Sequence, residues 1–330
     1  MRRTLGWLAG FWLMFGITAA FGRELPRIGV LVYNGTDTFI SNVAASIEKA
    51  AEGRARILFR DSHNSQILQN EQVGQLLADG VDALIVNAVD RTSAVYLIRM
   101  VAPHGIPIVF NNREPLPEDL LEYDKAFYVG NNPKESGLMC GELIARYVRE
   151  HPEILGEDQI LQYVMLKGEP GHQDAELRTV YSIKALKDAG IQLERLQETS
   201  AMWERSIAQE KMAGFIASYG NRIECVISNN DEMALGAIEA LKAAGYFSDG
   251  RTIPVVGVDA TGAAREALLE GTLLGTVLNN AEAQGNAALS LALLLMEGKP
   301  LSEEDFPYPL GEKPYLWIPS EIVTREGLEE

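Results

Sequence analysis

The stretch ILQYVMLKGEPGHQDAELRTVYSIKALKDAG, residues 160–190, passes from a strand to a helix through a tight polar loop. Its first nine residues are the apolar run of a strand, and the run from Ala175 has the 3.6-residue periodicity of a helix that ends at Gly190. Between them, Leu166–Arg178 contains two glycines, a proline, a histidine, an aspartate and an arginine. This composition fits a catalytic His–Asp pair, a phosphate cradle, a metal site or a clamp for a neutral polar ligand.

The same succession of strand, loop and helix recurs along almost the whole chain. Apolar strand runs occur at RIGVLVYN, ARILFRD, VDALIVNAVD, IPIVFNN, AFYVGNN, ILQYVMLKG, IQLERLQETS, IECVISNND, IPVVGVDA and LLGTVLNN. Strands that are apolar on both faces and alternate with helices predict parallel α/β sheets. About ten strands are too many for one compact sheet with short loops, so we expect two similar α/β lobes.

Polar residues follow the ends of many of these strand runs. They stand at residues 34–37, 111–112, 168–169, 229–231, 259 and 279–280. In open parallel sheets, ligands bind outside the carboxyl ends of the strands, so these residues are expected to converge on one site. A single Asn after a strand is more often a turn or a helix cap. Six such ends in one chain favour a shared site.

The first residues have the pattern of a secretory signal peptide. Two arginines at positions 2 and 3 precede an apolar run from about Leu5 to Ile17, and small residues follow. The run is short for a transmembrane anchor, and no stop-transfer charges follow it. We therefore expect residues 1–22 to be a signal peptide that is cleaved after Ala20 or Gly22. The region contains no cysteine, so we expect no lipid anchor and a mature protein that is free in the periplasm.

The charge of the chain excludes some classes of partner. The formal net charge is −17, and loss of the two signal-peptide arginines makes it −19. Such a chain is repelled by nucleic acid and by anionic lipid, so we expect no nucleic-acid partner. Cys140 lies in a helical run and Cys225 in a strand run, and both are expected to be buried free thiols.

The residues that could perform catalysis lack the partners that catalysis needs. His172 and Asp174 could act as a base and its orienting group, but no Ser or Cys in a nucleophile elbow accompanies them. No Walker loop or dinucleotide fingerprint follows a strand. The four histidines are scattered and have no Cys partners at ligand spacing, which disfavours zinc. We expect neither an enzyme nor a cofactor.

A neutral sugar fits the polar residues better. Its hydroxyls donate and accept hydrogen bonds, and its C–H faces are apolar, so its binding needs planar polar groups and aromatic rings. Trp203 lies in a polar setting just after a strand run, and Phe39 lies in the loop after the first strand. A tryptophan in the core is the alternative interpretation of Trp203.

The chain resembles a known family, the bacterial periplasmic glucose/galactose-binding proteins that serve sugar ABC transporters. The resemblance runs from about Arg27 to the C-terminus. It is densest in VFNNREP, AFYVG, KESG, LKGEPGH, DAELRT, AMWE, SNNDEMALGAIEALKA, VVGVDA and GTVLNNA. It implies a type I periplasmic binding protein fold, the Venus flytrap, with two doubly wound parallel-sheet lobes joined by three crossovers. The implied lobes are 27–131 plus 280–316 and 132–279 plus 317–330.

The resemblance also implies the ligand, its binding residues and the partners. One hexopyranose, glucose or galactose, is expected to lie between the lobes. The implied binding residues, each of the residue type that the family has there, are Asp37, Phe39, Asn112, His172, Asp174, Arg178, Trp203, Asn230, Asp259 and Asn279. Phe39 and Trp203 are expected to cover the two faces of the ring. The implied partners are the membrane and ATPase subunits of a sugar ABC transporter, and a chemoreceptor is a further candidate.

The chain departs from the family at its calcium loop. The positions that align with the ligands hold Ile154, Gly156, Asp158, Ile160 and Gln162, while Glu224 matches a distal carboxylate. Isoleucine cannot ligate calcium, which needs six or more oxygens, so we expect no metal and regard Asp158, Gln162 and Glu224 as remnants. Other ligands on the same fold, such as a pentose or a signalling furanose, remain the alternative. A sugar-responsive transcription regulator would need a helix-turn-helix where this chain has its signal peptide.

Overall fold

The computed structural model describes residues 24–248, 251–298, 301–308, 311 and 314–329. The signal peptide predicted at residues 1–22 lies outside the described residues. Within the part that is described, no helix has the length and apolarity that crossing a membrane requires.

Most of the strands run parallel to their neighbours, and the strands form two separate sheets. The strands are β1 Arg27–Val32, β2 Arg56–Asp61, β3 Ala83–Val86, β4 Ile108–Asn111, β5 Ala126–Asn131, β6 Ile160–Lys167, β7 Gln192–Ser200, β8 Cys225–Ser228, β9 Val255–Val258, β10 Gly275–Leu278, β11 Tyr315–Ile318 and β12 Glu321–Val323. The first sheet has the order β11-β5-β4-β3-β1-β2 and the second the order β12-β10-β9-β8-β6-β7. Every pairing is parallel except that of β10 with the short edge strand β12.

Helices connect the strands and cover the sheets. They are α1 Thr38–Ala51, α2 Gln66–Ala78, α3 Ala94–Val101, α4 Pro117–Leu120, α5 Pro133–Glu150, α6 Gln173–Asp188, α7 Arg205–Tyr219, α8 Asp231–Ala243, α9 Gly262–Glu270, α10 Ala281–Glu297 and α11 Glu326–Glu329. Both faces of each sheet are buried: in the first sheet, Ile85 and Val109 belong to one apolar cluster, whereas Leu84 and Phe110 belong to another. The predicted α/β class with two lobes is confirmed.

The two lobes share one strand order. In each, the first strand lies between the second and the third, and the fourth and fifth follow outward, which is the doubly wound order 2-1-3-4-5. In each, a sixth strand from the end of the chain pairs with the fifth. The polar residues that follow the parallel strands therefore lie at the carboxyl edges of two similar sheets.

Three chain segments cross between the lobes. The first follows β5, the second follows β10, and the third joins β11 to β12. The resemblance implied a third crossing at 316/317. In the structure, β11 pairs with β5 through Ile318, so the chain crosses two residues later, at Pro319 and Ser320.

Candidate functional site

The carboxyl edges of the two sheets enclose a cavity of about 350 Å³ between the lobes. All ten residues that the sequence singled out line it. Its lining consists of Tyr33, Asp37, Phe39, Ile40, Asn112, Arg113, His172, Asp174, Arg178, Trp203, Asn230, Asp259 and Asn279. The first six belong to the first lobe and the other seven to the second.

Asp37 is held in place by its own helix and by a tyrosine. It is the N-cap of α1, and its Oδ1 accepts a hydrogen bond from the Ile40 N–H at 2.9 Å. Its Oδ2 accepts one from the Tyr33 hydroxyl at 2.6 Å. Burial and the Asp37 carboxylate raise the pKa of Tyr33 well above its usual value, so the tyrosine stays a donor. Both oxygens of Asp37 are thus oriented by the protein, and their remaining lone pairs can accept from a ligand.

Arg113 links this part of the cavity to the second lobe. Its guanidinium lies over the Tyr33 ring, with 3.7 Å from Cζ to the ring centroid. Its Nη2 donates to Glu169 Oε2 at 2.7 Å, across the cleft, and its Nη1 donates to Val89 O at 2.6 Å. Its Nε is buried and has no protein partner. Asn112, the preceding residue, is held with a φ of +62°.

The stretch Leu166–Arg178 supplies a buried ion pair. Arg178 Nη2 donates to Asp174 Oδ2 at 3.0 Å, one turn apart on α6, and Nη1 donates to Asn229 O at 3.0 Å. The helix packs closely against α5, since a Cβ on Gly137 would lie 2.9 Å from Arg178 O. Arg178 Nε is a further buried donor without a protein partner. Because the pair does not use all of its donors and acceptors for its own bond, it can bind a polyhydroxyl ligand through charge-assisted hydrogen bonds.

His172 is both a helix cap and a wall of the cavity. It is the N-cap of α6, and its Nδ1 accepts from the Asp174 N–H at 3.1 Å. Burial, and then the charges of Arg113 and Arg178, lower the pKa of His172 well below its usual value. The ring is therefore neutral, and because Nδ1 accepts, its proton is on Nε2, which is a donor.

Trp203 is the aromatic face that the second lobe contributes. Its ring packs edge-on against His172 at 5.1 Å between ring centroids, and it approaches Gly168 so closely that a Cβ there would lie 2.1 Å from the ring. The tryptophan has a φ of +66°, which a bulky residue rarely adopts. Phe39, at the start of α1, is the aromatic residue that the first lobe contributes. Trp203 thus packs against the core but presents its ring to the cavity.

The remaining polar residues follow three consecutive strands of the second sheet. Asn230 caps α8 through a 3.0 Å bond from the Met233 N–H. Asn279 Nδ2 donates to Asp259 Oδ1 at 3.2 Å. Asp259 has a φ of +121°, and burial raises its pKa well above its usual value, against the opposing charge of Arg178. Burial likewise raises the pKa of Asp174, against Arg178.

Tyr33 and Arg113 are lining residues that the sequence prediction omitted. A signal for both was present, since Tyr33 ends the first strand run and Arg113 belongs to the VFNNREP stretch. Two aromatic rings together with donors and acceptors from both lobes can hold a neutral polyhydroxyl ring. Among the described residues, no group of three or more His, Cys, Asp or Glu side chains is arranged to hold a metal ion.

The remnants of the calcium loop are hydrogen-bonded to one another and to the backbone. Glu224 Oε2 accepts from the Gln162 N–H at 2.8 Å, and Asp158 Oδ1 accepts from the Ile160 N–H at 3.1 Å. Gln162 Oε1 accepts from Arg222 Nε at 3.3 Å. These side chains stabilise the loop as it stands, and the prediction that it binds no calcium stays a prediction.

The chain is similar to known proteins over nearly its whole length. The profile of the family described as periplasmic binding protein domain matches residues 28–300. A D-galactose/methyl-galactoside binding periplasmic protein of Haemophilus influenzae is 43% identical over 290 residues, which are 87% of this chain and 86% of that protein. A putative rhizopine-binding protein of Rhizobium meliloti is 32% identical over 92% of this chain and 88% of its own length.

A solved structure extends the similarity to three dimensions. An ABC transporter solute binding protein from Bacillus halodurans C-125, with bound myo-inositol, is 31% identical and superposes with a TM-score of 0.78. The match covers 92% of this chain and 96% of that one. The two-lobed fold is therefore the fold of known solute-binding proteins.

Proposed function

The chain belongs to the periplasmic binding protein domain family, and we propose that it captures a hexopyranose, glucose or galactose, and delivers it to a sugar ABC transporter. The observation that carries this proposal is one cavity, lined from both lobes by twelve polar and aromatic residues at the carboxyl edges of two sheets. A relative that is 43% identical to this chain is named as a D-galactose/methyl-galactoside binding protein.

The proposed mechanism is binding coupled to closure, without a chemical step. Asp37 and Asn112 offer hydrogen bonds from the first lobe, and Asp174 and Arg178 from the second. Phe39 and Trp203 would cover the apolar faces of the ring. Because only the closed form brings both sets of side chains to one ligand, the sugar stabilises that form, and the transporter recognises it.

The proposed location is the periplasm, with the membrane and ATPase subunits of the transporter as partners. The signal-peptide pattern of residues 1–22 and the periplasmic relatives support this location. A chemoreceptor that recognises the closed form is a further candidate partner.

Isothermal titration calorimetry of the mature chain against galactose, glucose, allose, ribose, xylose and myo-inositol tests the proposal. We expect galactose or glucose to bind most tightly, with or without chelator. Tightest binding of a pentose or of myo-inositol would replace the ligand but keep the receptor function. Absence of binding to every compound of the panel would refute the proposal.

A further inference from the structure

A fully buried glutamine, Gln284 on α10, lies where the three crossovers meet. Its Nε2 donates to Asn131 Oδ1 at 2.6 Å and to Asn279 Oδ1 at 2.8 Å, and its Oε1 accepts from Asn111 Nδ2 at 3.2 Å. Asn131 ends β5 at the first crossover, and Asn279 follows β10 at the second. One side chain thus joins two crossovers and the end of β4.

The third crossover joins the same network through Asn131. Asn131 Nδ2 donates to Pro319 O at 3.2 Å and to Ser320 Oγ at 3.1 Å, and both acceptors lie between β11 and β12. Gln284, Asn131, Asn111 and Asn279 have at most 4% of their surface exposed. The three crossovers form the hinge between the lobes. Water therefore cannot replace a lost hydrogen-bond partner unless the hinge opens.

The orientation of every amide in the network follows from two main-chain carbonyls, which can only accept. Pro319 O requires Asn131 to turn its NH₂ group toward the third crossover, so its Oδ1 faces Gln284. Val129 O takes the NH₂ group of Asn111 at 3.2 Å, and that group also faces Gln284 Oε1. Both ends of the network thus place the NH₂ group of Gln284 toward Asn131 and Asn279.

This orientation determines what Asn279 presents to the cavity. Because Gln284 donates to its oxygen, Asn279 turns its NH₂ group to Asp259, to which it donates at 3.2 Å. We propose that Gln284 is a positioning residue that ties the three crossovers together and holds Asn279 with its donor facing the ligand. Its consequence for sugar affinity rests on the proposed function; its consequence for the hinge does not.

The chain offers a matched control in Gln69 on α2. It is also fully buried, and its amide also makes three hydrogen bonds: Nε2 donates to Ser62 Oγ and to Asn87 O, each at 3.1 Å, and Oε1 accepts from the Val89 N–H at 3.0 Å. All of these partners lie in the first lobe. Gln284→Met and Gln69→Met therefore remove the same chemistry, in one case with and in the other without a direct bond to the crossovers.

The test combines sugar affinity with the distance between the lobes in the sugar-free protein. Spin labels on Thr36→Cys and Gln209→Cys, both exposed and on opposite lobes at the mouth of the cleft, report that distance. The native Cys140 and Cys225 are buried and remain unlabelled. Thermal unfolding of each variant shows whether it folds.

We expect Gln284→Met to broaden the interlobe distance distribution and to weaken sugar binding about tenfold, while Gln69→Met leaves both unchanged despite a comparable loss of thermal stability. If Gln284→Met does not fold, Gln284→Glu replaces it, since a carboxyl group of the same size donates at most one hydrogen bond and so cannot donate to both Asn131 and Asn279. Distributions and affinities that change equally in the Gln284 and Gln69 variants would overturn the proposal. If the unaltered protein binds no monosaccharide, the proposed function fails, and the distances in the sugar-free protein still decide the role of Gln284.

Discussion

The bond between Arg113 and Glu169 is a contact that the two lobes make across the cleft, and it can be weakened without altering the cavity. Glu169 lies in the loop before α6 and does not line the ligand cavity. Glu169→Gln keeps the shape of the side chain and one hydrogen bond to Arg113 but removes the negative charge. We expect the closed form to lose stability and the sugar to dissociate faster.

The expected increase in Kd for Glu169→Gln follows from how exposed the two side chains are. The Arg113 side chain is 5% exposed and that of Glu169 is 35% exposed. A charge-assisted hydrogen bond contributes about 1.5–3 kcal/mol when buried, and the neutral bond that glutamine retains contributes about 1 kcal/mol. After discounting for the exposed carboxylate, about 1 kcal/mol is lost, which is about fivefold in Kd.

Stopped-flow fluorescence and calorimetry measure this change. We expect the increase in Kd to lie in the dissociation rate, because the pair must break before the sugar leaves. The control is Glu122→Gln, which weakens a bond of the same 2.7 Å length to Arg99, but within the first lobe and at the surface. If Glu169→Gln and Glu122→Gln leave the dissociation rate equally unchanged, Arg113 and Glu169 do not hold the lobes closed.

Four further outcomes are expected from other parts of the molecule. Trp203→Ala weakens hexose binding at least about tenfold by calorimetry, because it removes one aromatic face, and an unchanged Kd would contradict the site. Gly168→Ala places a methyl group 2.1 Å from the Trp203 ring, so both the melting temperature and the affinity fall; an unaltered affinity would show that the ring position is not critical. Burial raises the pKa of Asp231 from 3.8 to about 7, so its protonated form favours the folded state, and this contribution is lost as the pH rises through about 7. The melting temperature of Asp231→Asn is therefore expected to rise relative to the unaltered chain between about pH 4 and pH 7, and a constant difference would be evidence against this titration. Chelator is expected to leave the melting temperature unchanged, since the Glu224 carboxylate is hydrogen-bonded to the backbone; a fall would indicate a bound cation.

The alternation of strands and helices was enough to predict the fold class, because each element follows from a period of two or 3.6 residues along a short stretch. The same pattern predicted that residues after the strands converge, since parallel strands carry their carboxyl ends to one edge. The identity of the ten predicted lining residues came from the resemblance. Without it, Asn230 was as consistent with a helix cap, and in the structure it does cap α8.

The contacts between the lobes could not be predicted in this way. Arg113 and Glu169, on different lobes, are 56 residues apart, and Gln284 and Asn131, both in the first lobe, are 153 residues apart. No periodicity relates such residues, because their meeting depends on tertiary packing and, for Arg113 and Glu169, on how the two lobes are oriented. The interlobe bonds and the amide network at the hinge therefore became visible only in three dimensions.

The backbone at the cavity supports a functional rather than a structural reason for its residue types. Asn112, Trp203 and Asp259 all have positive φ, a conformation that costs non-glycine residues about 1–3 kcal/mol each. Surrounding bonds enforce it, since the Tyr128 hydroxyl donates to Asn112 O at 2.8 Å and the Asp259 N–H donates to Val277 O at 2.8 Å. Glycine at these positions would relieve the strain, so folding alone gives no reason for an amide, an indole and a carboxylate there. A ligand that needs these three side chains in the cavity does give a reason, and the proposed hexose is such a ligand.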